Sequence, residues 1–464
     1  MKFSQGILAT TIKVVCLSVS LTATSYAVER NEPEAATGYE QKKAHIAEDY
    51  MVVAANPYAS WAGKNIIEKG GSAIDAAVAV QAMLTLVEPQ SSGIGGGAFI
   101  LYWDNKTKTL HTFDGRETAP AAVSPYWFYE GKKPMSWIEA VVGGKSVGVP
   151  GALRALEMAQ KKFGTLEWKE LFDDAINTSA NGFRVSARLA HLVALEKHPG
   201  LKTFPSSATY FYPAGKPLKE GMIKKNKALA DTLTRIANDG ADYFYEGPVA
   251  EKIAKTVNSA SINPGQITPE DIASYKPLEK KPVCGEYRDH KVCGMAPPSS
   301  GGVNVYQIMK LLEGQDIASL TPDSAAFANL FAQASALSFA DREMYIADSD
   351  FNDIPFASLI NAPYLKRRAD SIGADKSWRK AKAGKPYTNA NVHLGMNREQ
   401  PNTSHFSIVD KDGNAISITT SIEFMFGSGL MVEGFLLNNQ LTDFSFNPDI
   451  NGWPVVNRVE PGKR

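Results

Sequence analysis

Apolar runs broken by glycine, proline and polar turn residues lay out the elements of this chain. Pro57 to Lys69 reads as a helix, ended by Gly70-Gly71. Ser72 then caps a second helix, with Asp75 in its first turn. Its Ala, Val, Leu and Met residues run to about Leu86, and Pro89 follows. Apolar around most of its surface, this helix should be buried. Phe99 to Trp103 and Leu110 to Phe113 read as paired strands around Asn105-Lys106. Val147-Gly148-Val149-Pro150-Gly151 precedes a helix to about Phe163, a further helix runs from Leu166 towards Asn177, and about 180–290 looks helical with long loops. Thr268-Pro269-Glu270-Asp271 has cap, proline and acid in the order of a helix start. Pro297-Pro298-Ser299-Ser300-Gly301-Gly302 opens a helix to about Leu312, with Ser299 and Ser300 as caps. Ala325 to Ile346 is a long helix. Near the end, Phe406–Val409 and Ala415–Thr420 are β-rich runs around Lys411-Asp412-Gly413-Asn414, and Asp-Gly in so short a gap signals a hairpin.

Ser91-Ser92-Gly93-Ile94-Gly95-Gly96-Gly97 invites comparison with a phosphate loop. No Lys-Ser/Thr follows it, and a strand stands where a phosphate site needs a helix. Close approach of backbone to backbone, which glycine permits, is the better reading. Residues 28–50 read as a polar surface arm, and 383–402 have the composition of a linker. His393, within that linker, reads as a solvated loop residue.

The 464 residues are 44% hydrophobic with zero formal charge, enough for a large core. Without a basic tract there is no signature of nucleic-acid binding. Residues 1–27 carry Lys2 and Lys13, a short apolar run from Val14 to Leu21, and Ser25-Tyr26-Ala27 before a cleavage point. That is the pattern of a secretory signal peptide, and the run is too short to span a bilayer. Its removal would leave 47 basic and 49 acidic residues in a periplasmic or secreted chain with no membrane span. Cys16 would leave with it. Cys284 and Cys293 remain, either paired across a β-turn or as free thiols. A loop this short would contribute roughly 2–3 kcal/mol if closed. Two cysteines and His290 at these spacings fit no zinc pattern.

The chemistry concentrates before the hairpin, in Asn402-Thr403-Ser404-His405-Phe406-Ser407. No Gly-x-Ser-x-Gly elbow lies near this stretch. A threonine hydroxyl can dispense with a histidine base if the chain is cut between Asn402 and Thr403. The new α-amine, with a pKa of roughly 8, then sits beside its own hydroxyl.

Thr403-Ser404-His405-Phe406-Ser407 and Ile408-Val409-Asp410-Lys411-Asp412-Gly413-Asn414-Ala415 resemble the start of the small subunit of gamma-glutamyltransferases (gamma-glutamyltranspeptidases), which are N-terminal-nucleophile hydrolases. Phe113-Asp114-Gly115-Arg116-Glu117-Thr118-Ala119-Pro120 resembles the family segment whose arginine binds the α-carboxylate of the glutamyl group. A guanidinium suits that task through its two parallel donors. Leu436-Leu437-Asn438-Asn439-Gln440-Leu441-Thr442-Asp443-Phe444 is similar to the family segment that holds the α-amino group. By that resemblance Gln440 and Asp443 supply acceptors, while Asn438 and Asn439 build the turn. Ser421 keeps the hydroxyl that contacts the nucleophile. Glu423 stands where the family has an asparagine that contacts substrate, and as a carboxylate it would accept from an ammonium but repel an α-carboxylate.

The resemblance implies an α+β fold, a four-layer αββα sandwich with two central antiparallel sheets. After the signal peptide read over 1–27, it implies a large subunit over 28–402 and the start of a small subunit from 403 to 464. The activity implied is cleavage of gamma-glutamyl amides such as glutathione through a Thr403 ester, with transfer to water, an amino acid or a peptide. No metal or organic cofactor is implied. The family's Pro-Leu-Ser-Ser and Gly-Gly segments, expected beyond Pro461-Gly462-Lys463-Arg464, are absent, so the chain reads as C-terminally incomplete. Glu423 leaves open a related N-terminal-nucleophile acylase of the cephalosporin-acylase type. The missing segments leave open a catalytically silent binding homologue.

Overall fold

The structure, a computed structural model, describes residues 44–373, 375–376, 380–386 and 402–464. The leader expected over 1–27 and His393 lie outside these residues. Six strands form one antiparallel sheet: β1 (Met51–Val53), β2 (Gly97–Asp104), β3 (Thr109–Gly115), β4 (Leu278–Lys280), β5 (Ser404–Val409) and β6 (Ala415–Ser421). Their order is β1-β5-β6-β2-β3-β4. The C-terminal hairpin therefore occupies the middle of a sheet whose other strands come from before residue 281. Nothing local in the hairpin dictates this. It follows from the apolar face that β5 and β6 share with β2.

That face is built by alternation. Register places Phe406 beside Ile418, Ile418 beside Ile100 and Ile100 beside Phe113, and all four are buried. Each contributes roughly 1.5–3 kcal/mol by leaving water. The helices α1 (Pro57–Glu68), α2 (Ala73–Val87) and α3 (Ala152–Phe163) belong to the same core. Every residue of α2 is buried, as its apolar surface requires. Ser72 and Asp75 make the capping box at its start. The hairpin turn is tied to this helix, since the Ala73 amide donates to Asp410 Oδ2 at 2.9 Å. Asp410 Oδ1 accepts from the Asp412 and Asn414 amides, and Gly413 takes the positive φ that closes the turn. The opposite face carries His405, Ser407, Ser417 and Thr419, all polar, with the His405 ring on the Thr419 hydroxyl.

The glycine run behaves as backbone packing. A Cβ on Gly95 would stand 2.1 Å from the Leu436 carbonyl oxygen, and one on Gly96 would stand 2.0 Å from that of Ser421. Cys284 and Cys293 face each other in register across a hairpin and form a disulfide, with their Cα atoms 4.1 Å apart. Local expectations fail in two places. The helix expected from Leu166 divides into a 3-10 turn at Trp168–Phe172 and a helix at Asp173–Asn181, which ends at Gly182 with positive φ. Ser300 stands at the N-cap position of the helix Gly301–Leu312 but makes no capping bond. Its backbone is already helical, with φ −84° and ψ −12°, and its hydroxyl accepts from Arg342 Nε at 3.0 Å, while Ser299 Oγ accepts from the Gly301 amide at 3.2 Å.

Candidate active site

Strand register builds the centre of the site. Ser404 pairs with Thr420, so the next residues outward, Thr403 and Ser421, stand side by side on the polar face of the sheet. Their hydroxyl oxygens are 3.2 Å apart. Ser421 Oγ also lies 3.4 Å from the Asn402 carbonyl oxygen and accepts from the Glu423 amide at 2.8 Å. One serine thus touches both the hydroxyl and the carbonyl flanking the peptide bond between Asn402 and Thr403.

Beyond Ser421 the chain turns sharply. Glu423 has φ +75°, a left-handed conformation that costs a non-glycine residue on the order of 1–3 kcal/mol. The turn is held by the Phe424 amide on Asn439 Oδ1 at 2.9 Å and the Asn439 amide on the Ile422 carbonyl at 3.2 Å. Asn438 works alongside, donating to the Gly95 and Gly148 carbonyls and accepting from the Gly148 and Gln440 amides. These two asparagines build the scaffold, and Gln440 and Asp443 project from it.

A cavity of about 440 Å³ opens between these parts. Thr403, Ser421 and Glu423 line one side, Gln440 and Asp443 another, and Arg116 and Glu117 close it from the end of β3. Arg116 Nη2 meets Asp443 Oδ2 at 2.5 Å, and Gln440 Nε2 donates to the same oxygen at 2.8 Å. The residues singled out in the sequence, from three distant stretches, are therefore brought to one place.

Sequence reasoning missed Glu117. Both its carboxyl oxygens are buried without a hydrogen-bond partner, and a Cβ on Gly97 would clash with one of them. Burial pushes its pKa up to about 8, against the pull of Arg116. Glu423, 5% exposed, is also raised well above the carboxylate range, first by burial and then by the charge of Asp443. Both causes favour its neutral form, and a neutral carboxyl can donate as well as accept. The sign of the pocket is set by the Arg116–Asp443 pair, a fixed plus beside a fixed minus. That pair is complementary to a zwitterion, whose carboxylate and ammonium need opposite partners side by side. The signal for Glu117 was available, since it follows Arg116 directly, but only the fold shows that its side chain turns inward.

A model of the family described as Gamma-glutamyltranspeptidase matches residues 59–464. The chain is 36% identical over 459 residues to a glutathione hydrolase proenzyme of Bacillus subtilis (strain 168), covering 97% of this chain and 76% of that one. A glutathione hydrolase proenzyme of Escherichia coli (strain K12) is 34% identical over 441 residues, covering 93% and 74%. Among solved structures, Helicobacter pylori gamma-glutamyltranspeptidase superposes with a TM-score of 0.70 at 33% identity, over 76% of this chain and all of that one. A cephalosporin acylase from Bacillus halodurans gives 0.79 at 26% identity, over 93% and 76%.

Proposed function

Because this chain belongs to the gamma-glutamyltranspeptidase family, we propose that it is a self-cleaving gamma-glutamyltransferase and glutathione hydrolase with Thr403 as nucleophile. The observation that carries the assignment is the triple contact at Ser421, beside the Thr403 hydroxyl, the Asn402 carbonyl and the cavity.

In activation, Thr403 Oγ1 attacks the Asn402 carbonyl carbon. The C–N bond to Thr403 breaks, and the hydroxyl proton ends on the departing nitrogen. Water then hydrolyses the ester, leaving an Asn402 carboxylate and a free Thr403 α-amine. The products are a large subunit ending at Asn402 and a small subunit beginning at Thr403. In turnover that amine takes the Thr403 hydroxyl proton. The hydroxyl attacks the γ-carbonyl of the donor, and the leaving amine departs with the proton. Water or an acceptor amine then releases the gamma-glutamyl group from the ester. Arg116 receives the α-carboxylate, and Asp443 with Gln440 Oε1 receives the ammonium. Gln440 Oε1 is buried without a hydrogen-bond partner, which suits it to accept from an ammonium. Among the described residues no group of three His, Cys, Asp or Glu is arranged to hold a metal ion.

Glu423 favours a second reading, an acylase for a substrate lacking one of the two charges of glutamate. Hydrolysis of gamma-glutamyl-p-nitroanilide separates the two, because an acylase of that kind leaves it intact while a gamma-glutamyltransferase releases nitroaniline.

The compartment assigned is outside the cytoplasm, periplasmic or secreted. The leader-like pattern of residues 1–27 and the disulfide between Cys284 and Cys293 support it. No helix among the described residues is long and apolar enough to cross a membrane.

A further inference from the structure

Asn402 is 1% exposed, and both ends of its side-chain amide are engaged. Its Oδ1 accepts from Ser91 Oγ at 3.1 Å, and its Nδ2 donates to the Gln90 carbonyl at 2.8 Å. The chemistry of the partners fixes this orientation. Arg188 Nη2 lies 3.0 Å from Ser91 Oγ, and a guanidinium can only donate. The serine proton is therefore directed at Asn402. Arg188 is itself held by Glu88, whose Oε2 accepts from Nη1 at 2.8 Å. Glu88 is 2% exposed and accepts from Asn56 Nδ2 at 2.8 Å and from Gln90 Nε2 at 2.5 Å. Glu88 and Ser91 follow directly on α2, Arg188 comes from the helix Ala187–Ala194, and none of the three lines the cavity of Thr403.

We propose that Ser91, Arg188 and Glu88 form a clamp that positions Asn402 for self-cleavage. They are positioning residues, acting through Asn402 and touching neither the nucleophile nor the gamma-glutamyl donor. The peptide carbonyl of Asn402 must present its carbon to the hydroxyl of the very next residue. Ser421 meets the carbonyl oxygen, and the clamp fixes the side chain on the other side, so the peptide unit is held at two points. Misplacement of reacting atoms by about 1 Å can cost on the order of 100-fold in rate. Once the bond is cut, Asn402 is no longer joined to the nucleophile, and the clamp has no part in turnover.

The inference rests on Thr403 being the self-cleaving nucleophile. The test is a time course of intact mass on purified uncleaved chain, with Ser91→Ala and Ser91→Thr beside wild type. The Ser91 backbone oxygen holds the Ile422 amide, and these substitutions keep that contact. Ser91→Ala should cleave at least about tenfold more slowly, and Ser91→Thr near the wild-type rate. Per cleaved molecule, kcat/KM for gamma-glutamyl-p-nitroanilide should stay within about twofold of wild type for Ser91→Ala. Should Ser91→Ala fail to fold, Asn402→Ala removes the same contact from the other side and should also slow cleavage. Cleavage of a folded Ser91→Ala chain at the wild-type rate overturns the clamp. So does a fall in per-molecule kcat/KM that matches the fall in cleavage. A wild-type chain that never cleaves after Asn402 removes the parent assignment and the clamp together.

Discussion

Thr403 Oγ1 lies 3.2 Å from Ser421 Oγ, and Glu423 donates its amide to that same serine oxygen. A hydroxyl oxygen keeps a second lone pair, so Ser421 can accept from Thr403 or direct its own proton at Thr403 or at the Asn402 carbonyl. One hydroxyl can therefore serve alignment in self-cleavage and in turnover.

Ser421→Ala should slow both self-cleavage and kcat, each by about 10- to 100-fold, and Ser421→Thr should restore most of both. Time courses of chain cleavage and steady-state rates on gamma-glutamyl-p-nitroanilide read the two effects. Loss of one without the other would show that the hydroxyl serves a single step.

The Arg116–Asp443 pair predicts a binding phenotype. Arg116→Ala removes a charge-assisted contact worth about 1.5–3 kcal/mol, so KM should rise by about 10- to 150-fold. Arg116→Lys should recover only part of this, because an ammonium lacks the planar fork. Measured kcat and KM decide the matter. An unchanged KM in Arg116→Ala would remove Arg116 from the substrate site.

Burial, and then the charge of Asp443, raise the Glu423 carboxyl well above the ordinary carboxylate range and so favour its protonated form. A substrate ammonium arriving beside it favours the charged carboxylate, so binding should release a proton near neutral pH. Calorimetry of glutamate binding in buffers of different ionisation heat reports that number, and Glu423→Gln should remove most of it. Binding of the wild-type enzyme without proton release would mean that Glu423 stays neutral throughout.

Glu117 carries a stability prediction. Its pKa is raised from the ordinary 4.5 to about 8 in the folded chain. Between those values the folded state keeps a proton that the unfolded state has lost, so stability falls as pH rises across that window. Glu117→Gln lacks this titration. Its stability relative to wild type should climb by up to about 4 kcal/mol between pH 4.5 and pH 8, and then level off. Urea unfolding of the uncleaved Thr403→Ala chain, with and without Glu117→Gln, measures it. A difference that does not change with pH would contradict the buried neutral carboxyl.

Much of this was legible in the order of residues. The cap at Ser72, the Asp-Gly turn and the runs on either side of it are local signals, and the structure reproduces them because no tertiary contact opposes them. The tight glycine run was readable as close backbone approach, although its partners Leu436 and Ser421 were not. Long-range placement stayed hidden. Nothing near Glu117 says that its carboxyl is buried, and nothing near Ser91 says that it meets a residue 311 positions away. Ser300 shows the reverse failure, a sound capping signal at a position whose backbone is already helical. Glu423 was visible as a departure, but its charge state depends on burial and on Asp443, which only the fold supplies.

The central claim is that the chain cuts itself before Thr403. Intact-mass analysis with N-terminal sequencing of the purified protein tests it most directly, with Thr403→Ala as control. The account predicts two fragments in the wild type, one beginning Thr403-Ser404-His405, and a single uncut chain in Thr403→Ala. A wild-type chain that stays whole, or a cut at another bond, would contradict it.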